Sequence, residues 1–277
     1  MPVMSVDALP YTVLLVLAEF TIGGLWVLWG TQVRGEVAWS FVKFCAGLLV
    51  VMATLTFVAA AKVTTPQEIA GYPLDAAQMG PARVLLATFF ALSFPYALLT
   101  LREDRRSSLA VGGIACLVGL GALALLARVF APPTWGYAGV LLALVAGALA
   151  VGGVSIGMIL GHWYLVTPRL PEKPLRELTA FVLLALLLQG LLLVPNLALP
   201  RETIPGGLDV PLLQSPFFWL RVAGGLALPL ALTYMAYDSS GIRAMQSATG
   251  LLYIAMALVL AGEVLAKGLL FATALPS

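Results

Sequence analysis

The chain has 277 residues, of which 61% are hydrophobic and 10% charged, with a formal net charge of +2. At a mean hydropathy of +1.01 it carries more apolar surface than a water-soluble globule of this length can bury, so a soluble domain is excluded and a polytopic membrane protein is expected. Strands of alternating polarity are absent, which excludes a barrel and leaves an all-α transmembrane helix bundle.

Eight apolar runs reach the roughly 20 residues that a helix needs to cross the hydrocarbon: 9–30, 39–61, 83–101, 108–131, 137–163, 177–199, 217–237 and 246–271. Little chain remains for anything else, so 1–277 reads as a single integral membrane domain. The first run follows Met-Pro-Val-Met-Ser-Val-Asp without a basic residue, which argues for a retained helix over a signal peptide. At its midpoint stands Glu19, the deepest charge, with Gly23 one turn on and Trp26 on the same flank. An ionisable side chain in hydrocarbon costs about 2.5–3.5 kcal/mol on insertion scales and so requires a partner or a cavity. Glu19 reads either as a proton-exchanging group or as a neutral carboxyl hydrogen-bonded to another helix.

The second run carries Lys43 near its start, and Cys45; with Cys116 of the fourth run, Cys45 reads as a buried small hydrophobe, since neither belongs to a Cys-x-x-Cys pair. Two longer loops, 62–82 with Thr65-Pro66 and Gly71-Tyr72-Pro73, and 200–216 with Pro205-Gly206-Gly207, read as ordered excursions that dock a partner or cap helix ends. Arg102-Glu103-Asp104-Arg105-Arg106 forms a mixed-charge turn, and the three prolines of 168–174 stop the fifth helix. Neither is a long polybasic patch, so nucleic acid is not a partner. Pro95, Pro195 and Pro229 each interrupt a membrane segment.

On the fifth run Gly153, Gly157 and Gly161 recur at four-residue spacing, a smooth strip for another helix. The run ends at His162-Trp163-Tyr164, and His162 is the one histidine of the chain. Bis-histidine haem needs two imidazoles, and copper or di-iron centres need more, so no haem or metal is expected in this chain. Instead His162 reads as a hydrogen-bond donor to a quinone carbonyl with Trp163 and Tyr164 as a wall for the ring, or as an interfacial histidine bonded to a loop carbonyl. In the last two runs Arg221 lies one turn inside the membrane, and Glu263 precedes Lys267 by four residues, the spacing of an intrahelical ion pair for which Arg221 could compete.

Basic residues orient the bundle. Arg34, Arg102, Arg105, Arg106, Arg169, Lys173, Arg176 and Arg243 cluster on one side, whereas Lys62, Arg83, Arg128, Arg201, Arg221 and Lys267 lie on the other, several within helix ends. The positive-inside rule makes the first set cytoplasmic and places both termini outside. No metalloprotease, serine-hydrolase, prenyl-diphosphate or P-loop motif is present, and the two halves show no internal repeat.

Leu9-Pro10-Tyr11-Thr12-Val13-Leu14-Leu15 through Gly23-Gly24-Leu25-Trp26-Val27-Leu28, and Leu260-Ala261-Gly262-Glu263-Val264-Leu265-Ala266-Lys267-Gly268-Leu269-Leu270-Phe271, resemble the first and last helices of the DMSO reductase membrane anchor, which belongs with the NrfD-like and polysulfide reductase anchors. The last helix matches better, through its Leu-Ala-Gly-Glu run, the base four residues on and the following Gly-x-x-Phe. The resemblance implies a bacterial cytoplasmic (inner) membrane subunit that holds iron-sulfur or cytochrome redox partners, is surrounded by lipids, and binds menaquinol or ubiquinol without haem. It covers about 45 residues, and only Glu263 and Lys267 carry over; segment 161–164 and loop 62–82 do not align with the quinol-contacting part of the anchors.

The reading expected from these features is a haem-free electron-transfer subunit that exchanges electrons with quinone, with Glu19, His162, Trp163, Tyr164, Arg221, Glu263 and Lys267 as quinone-binding or proton-handling residues. Its rivals are a proton-coupled transporter or channel working through Glu19 and Glu263, and a structural subunit of a larger complex.

Overall fold

Backbone groups in hydrocarbon find no water, so each apolar run closes its hydrogen bonds on itself. The structure, a computed structural model, describes residues 6–131, 136–167, 170–198 and 212–275, with 196–198 as backbone only. Its helices are α1 (Leu9–Arg34), α2 (Trp39–Lys62), α3 (Ala76–Leu101), α4 (Arg105–Val129), α5 (Gly136–Val166), α6 (Lys173–Ala198), α7 (Pro216–Val222), α8 (Leu228–Gly241) and α9 (Met245–Thr273). A five-residue π-turn, Ala223–Ala227, joins α7 to α8 into one span, which makes eight helices long and apolar enough to cross a membrane. Among the described residues the protein is thus an all-α, multi-pass bundle with eight candidate membrane spans.

Several helices outrun the apolar segments, and at α3 and α4 an aspartate side chain caps the extended start. α3 starts at Ala76, where the Asp75 side chain accepts from the Ala77 amide at 3.2 Å. That shortens the first excursion, whose remainder holds a two-residue antiparallel hairpin, β1 (Glu68–Ile69) with β2 (Tyr72–Pro73). These are the sole strands among the described residues. Buried Tyr72 pins the hairpin by donating its hydroxyl to the Phe130 carbonyl at 2.7 Å. Of the second excursion, 199–211 with Arg201 and Pro205-Gly206-Gly207 lies outside the described residues, as do Pro168 and Arg169.

The prolines within the spans do not break them. α3 runs through Pro81 and Pro95 and α6 through Pro195 without a break in helical structure, so the expected interruptions at Pro95 and Pro195 do not occur. Neighbouring helices tolerate such residues in membranes by re-satisfying the freed carbonyl. At Pro229 the seventh span is likewise not interrupted, although among the described residues it alone carries a π-turn, just ahead of this proline.

Around α5 pack α1, α4, α6 and α9. The predicted strip is used: Gly153 faces Phe181 and Val182, Gly157 faces Leu178, and Gly161 faces Thr249. The tightest approach, however, is made by other glycines. Gly23 of α1 lies against the Ala148 backbone, and Gly152 of α5 lies against the backbone of Gly23 and Gly24.

Away from the chain ends, exposed ion pairs tie the helix connections together: Arg34 with Glu177, Lys173 with Glu36 at 2.7 Å, Lys43 with Glu103 at 2.8 Å, and Arg243 with Glu172 at 2.6 Å. Pairs this exposed are screened by solvent and add little to stability, so their effect is on loop geometry.

Candidate functional site

The deepest charges of the chain meet in one buried network. Glu19 comes from α1, Gln189 from α6, Arg221 from α7, and Glu263 and Lys267 from α9; the four ionisable side chains are at most 4% exposed. Lys267 Nζ sits 2.6 Å from Glu19 Oε1 and donates to Glu263 Oε2 at 2.8 Å. Arg221 Nη2 donates to Glu263 Oε1 at 3.2 Å and to Gln189 Oε1 at 3.3 Å, while Gln189 Nε2 donates to Glu263 Oε1 at 2.6 Å. Two acids and two bases thus cancel, which is the condition for keeping charge in a dry interior.

Glu19 Oε1 is taken up by the Lys267 ammonium, whereas Oε2 meets no hydrogen-bond donor among the described residues. Glu263, by comparison, is satisfied on both oxygens. Glu19 is therefore the member of the network with acceptor capacity to spare, on Oε2.

Three backbone features make room for it. Gly147 of α5 lies directly beneath both carboxylates, where a side chain would overlap the Glu19 carboxylate and press on Glu263. Gly225 and Gly262 bring the π-turn and α9 into backbone contact, with the Arg221 guanidinium between them and the network. The π-turn itself has a chemical cause. Pro229 has no amide hydrogen to give the carbonyl four residues earlier, that of Gly225, and Arg221 Nη1 donates to this carbonyl at 3.2 Å. One guanidinium thus repairs the helix and neutralises Glu263.

Toward the chain ends the network is closed by aromatic rings. Tyr11, Leu15 and Glu19 follow one another at four-residue steps on α1, as do Glu263, Lys267 and Phe271 on α9, so each stack lies on one helix face. Phe271 touches Tyr11, Tyr72 and Phe130 at centroid distances of 6.3, 5.3 and 5.7 Å. The hairpin of the first excursion thereby caps the bundle one helical turn beyond Lys267.

Of the seven residues singled out in the sequence, the structure brings together Glu19, Arg221, Glu263 and Lys267. Arg221 and Lys267 do not compete for Glu263: each takes a different oxygen. His162, Trp163 and Tyr164 lie elsewhere and diverge, because consecutive helical side chains are about 100° apart. His162 is exposed, with Nδ1 3.3 Å from the Tyr253 hydroxyl. Trp163 packs on Phe41 and Phe44 of α2, and buried Tyr164 donates its hydroxyl to the Pro171 carbonyl. Lys43 is engaged at the surface by Glu103.

Sequence reasoning missed Gln189, Gly147 and the role of Pro229. A glutamine in an otherwise apolar run, Leu186-Leu187-Leu188-Gln189-Gly190-Leu191, was a visible signal. Comparison with known proteins adds no further constraint: no protein-family model matches the sequence, and no curated protein is significantly similar to it.

Proposed function

We propose that this protein is a haem-free membrane subunit of a quinone-linked electron-transfer complex in a bacterial cytoplasmic membrane, and that the buried network handles the protons that accompany quinone chemistry. Oxidation of a quinol releases two electrons and two protons; the electrons pass to an iron-sulfur or cytochrome centre of a partner subunit, and the protons need a base within the membrane. The observation that carries this reading is the charge-balanced network with one under-coordinated carboxylate, Glu19. Support also comes from the resemblance to anchor subunits, since the two segments that bear it, on α1 and α9, are the two that meet through Glu19 and Lys267. The chain supplies a quinone-reactive part of an oxidoreductase and no complete catalyst.

Glu19→Gln tests it. In the complex purified from its native membrane, the variant is expected to lower quinol oxidation at least ten-fold and to flatten its pH dependence, with partner subunits still bound. Unchanged turnover with an unchanged pH profile defeats the reading.

A second reading, a proton-coupled transporter, is favoured by one observation: a π-turn widens the helix of the seventh span beside Arg221, an irregularity that recurs at functional sites. Liposomes holding the chain alone separate the two. Proton flux that Glu19→Gln abolishes favours the transporter, and proton-tight vesicles favour the electron-transfer subunit.

A further inference from the structure

α1 and α6 both pack against α5 and scarcely touch one another. The gap between them is a lateral groove of about 280 Å³, floored by Leu149 and walled by Trp26 and Gly30 of α1 and Phe181 of α6. Its walls are fixed. The Trp26 indole donates to the Cys116 carbonyl at 3.0 Å, and Phe181 rests on the Gly153 surface of α5. At Gly30 the wall is bare, because a β-carbon added there would meet no atom within 4 Å. The mouth is polar and lies at the helix ends away from the termini, where Arg34 pairs with Glu177 and Lys173 with Glu36.

These features select a ligand class. The volume is at the small end of the roughly 300–1,000 Å³ of small-molecule sites, enough for a ring and the start of a chain. Two aromatic faces suit stacking on a flat ring. The acids and bases of the mouth are equal in number and paired with each other, so a phosphate group finds no uncompensated positive charge there. Arg34 and Glu177 also line the groove, so its polar end holds one donor and one acceptor that are paired with each other.

We infer that this groove binds an uncharged, ring-headed isoprenoid of the quinone class, its ring between Trp26 and Phe181 and its tail leaving sideways into the bilayer. The inference rests on the function proposed above and adds to it the place of binding. It separates the ring from the proton-handling network by about 10 Å, the rise of α1 from Glu19 to Trp26 at 1.5 Å per residue. Leu149 in the floor is two residues from Gly147 beneath the carboxylates, so α5 connects the two directly.

The test fills the groove from its bare wall. Gly30→Ala, Gly30→Leu and Gly30→Phe are made in the complex, with Gly47→Phe on the exposed face of α2 as the control, where an added side chain also meets no neighbour within 4 Å. Quinone extracted per chain, and the Kd of a short-chain quinone, are measured for each. Expected is a loss graded with side-chain size, smallest for Gly30→Ala and at least five-fold for Gly30→Phe, with Gly47→Phe like the parent. Parent-like quinone content in Gly30→Phe overturns the location and leaves the function standing. Loss of bound phospholipid in place of quinone makes the groove a lipid site and overturns the inference. A parent complex that neither retains quinone nor binds the short-chain form defeats both.

Discussion

Lys267→Met is expected to be the most damaging single change in the protein, lowering its stability by about 3–5 kcal/mol, the cost of removing one partner from a buried ion pair. Lys267 lies between Glu19 Oε1 at 2.6 Å and Glu263 Oε2 at 2.8 Å. Without it two carboxylates face each other across Gly147 with Arg221 as the single cation, and Arg221 reaches Glu263 alone. Methionine keeps the length and loses the charge, so the loss is electrostatic and not a packing defect. Adding Glu19→Gln restores the balance, because Glu263, Arg221 and Gln189 remain as a closed set of hydrogen bonds. The double variant is therefore expected to recover at least half of the lost stability, read from thermal or SDS-induced unfolding of the purified protein. If the two substitutions simply add, charge balance is not what holds the network together.

Gly152→Ala is also expected to be strongly destabilising, at or above the upper end of the roughly 1–3 kcal/mol typical of overpacking. A single methyl group matters here because its neighbours would be the backbone of Gly23 and Gly24, which has no rotamer to move into. α1 and α5 would have to separate, and with them the seat of Glu19. Gly157→Ala, on the adjacent face, is the contrast: its nearest atoms belong to the flexible end of Leu178, at 3.6 Å. Unfolding of the two variants side by side decides the matter. Equal tolerance means that the α1–α5 contact does not limit stability.

Much of the fold was legible because a membrane span is a one-dimensional property. Apolar runs of sufficient length appear in the sequence whatever their neighbours, and all eight correspond to spans. So does the Glu263–Lys267 pair, which is local to one helix turn. What could not be read is which helix lies beside which. Glu19 belongs with Lys267 only because α1 and α9 are neighbours in space, and hydropathy carries no signal of that. Gln189 went unnoticed for a related reason: a neutral amide does not stand out by charge, although it contributes two of the network's hydrogen bonds. His162, Trp163 and Tyr164 attracted attention by composition, yet neighbours in sequence on a helix are not neighbours on a face. Pro229 was visible in the sequence, but the reason it matters, a carbonyl left for Arg221, exists only in three dimensions.

The pairing of the first helix with the last has a consequence for how the protein is made. Glu19 enters the bilayer with the first span, whereas Lys267 lies about 250 residues downstream. At about 5–20 residues per second of synthesis, the acid waits for tens of seconds before its partner is translated. During that interval the roughly 2.5–3.5 kcal/mol of a lone ionisable group in hydrocarbon is not offset. The Glu19–Lys267 contact thus forms only after α9 has been made, so the order of synthesis leaves the acid of α1 without this partner until the last described helix is in place.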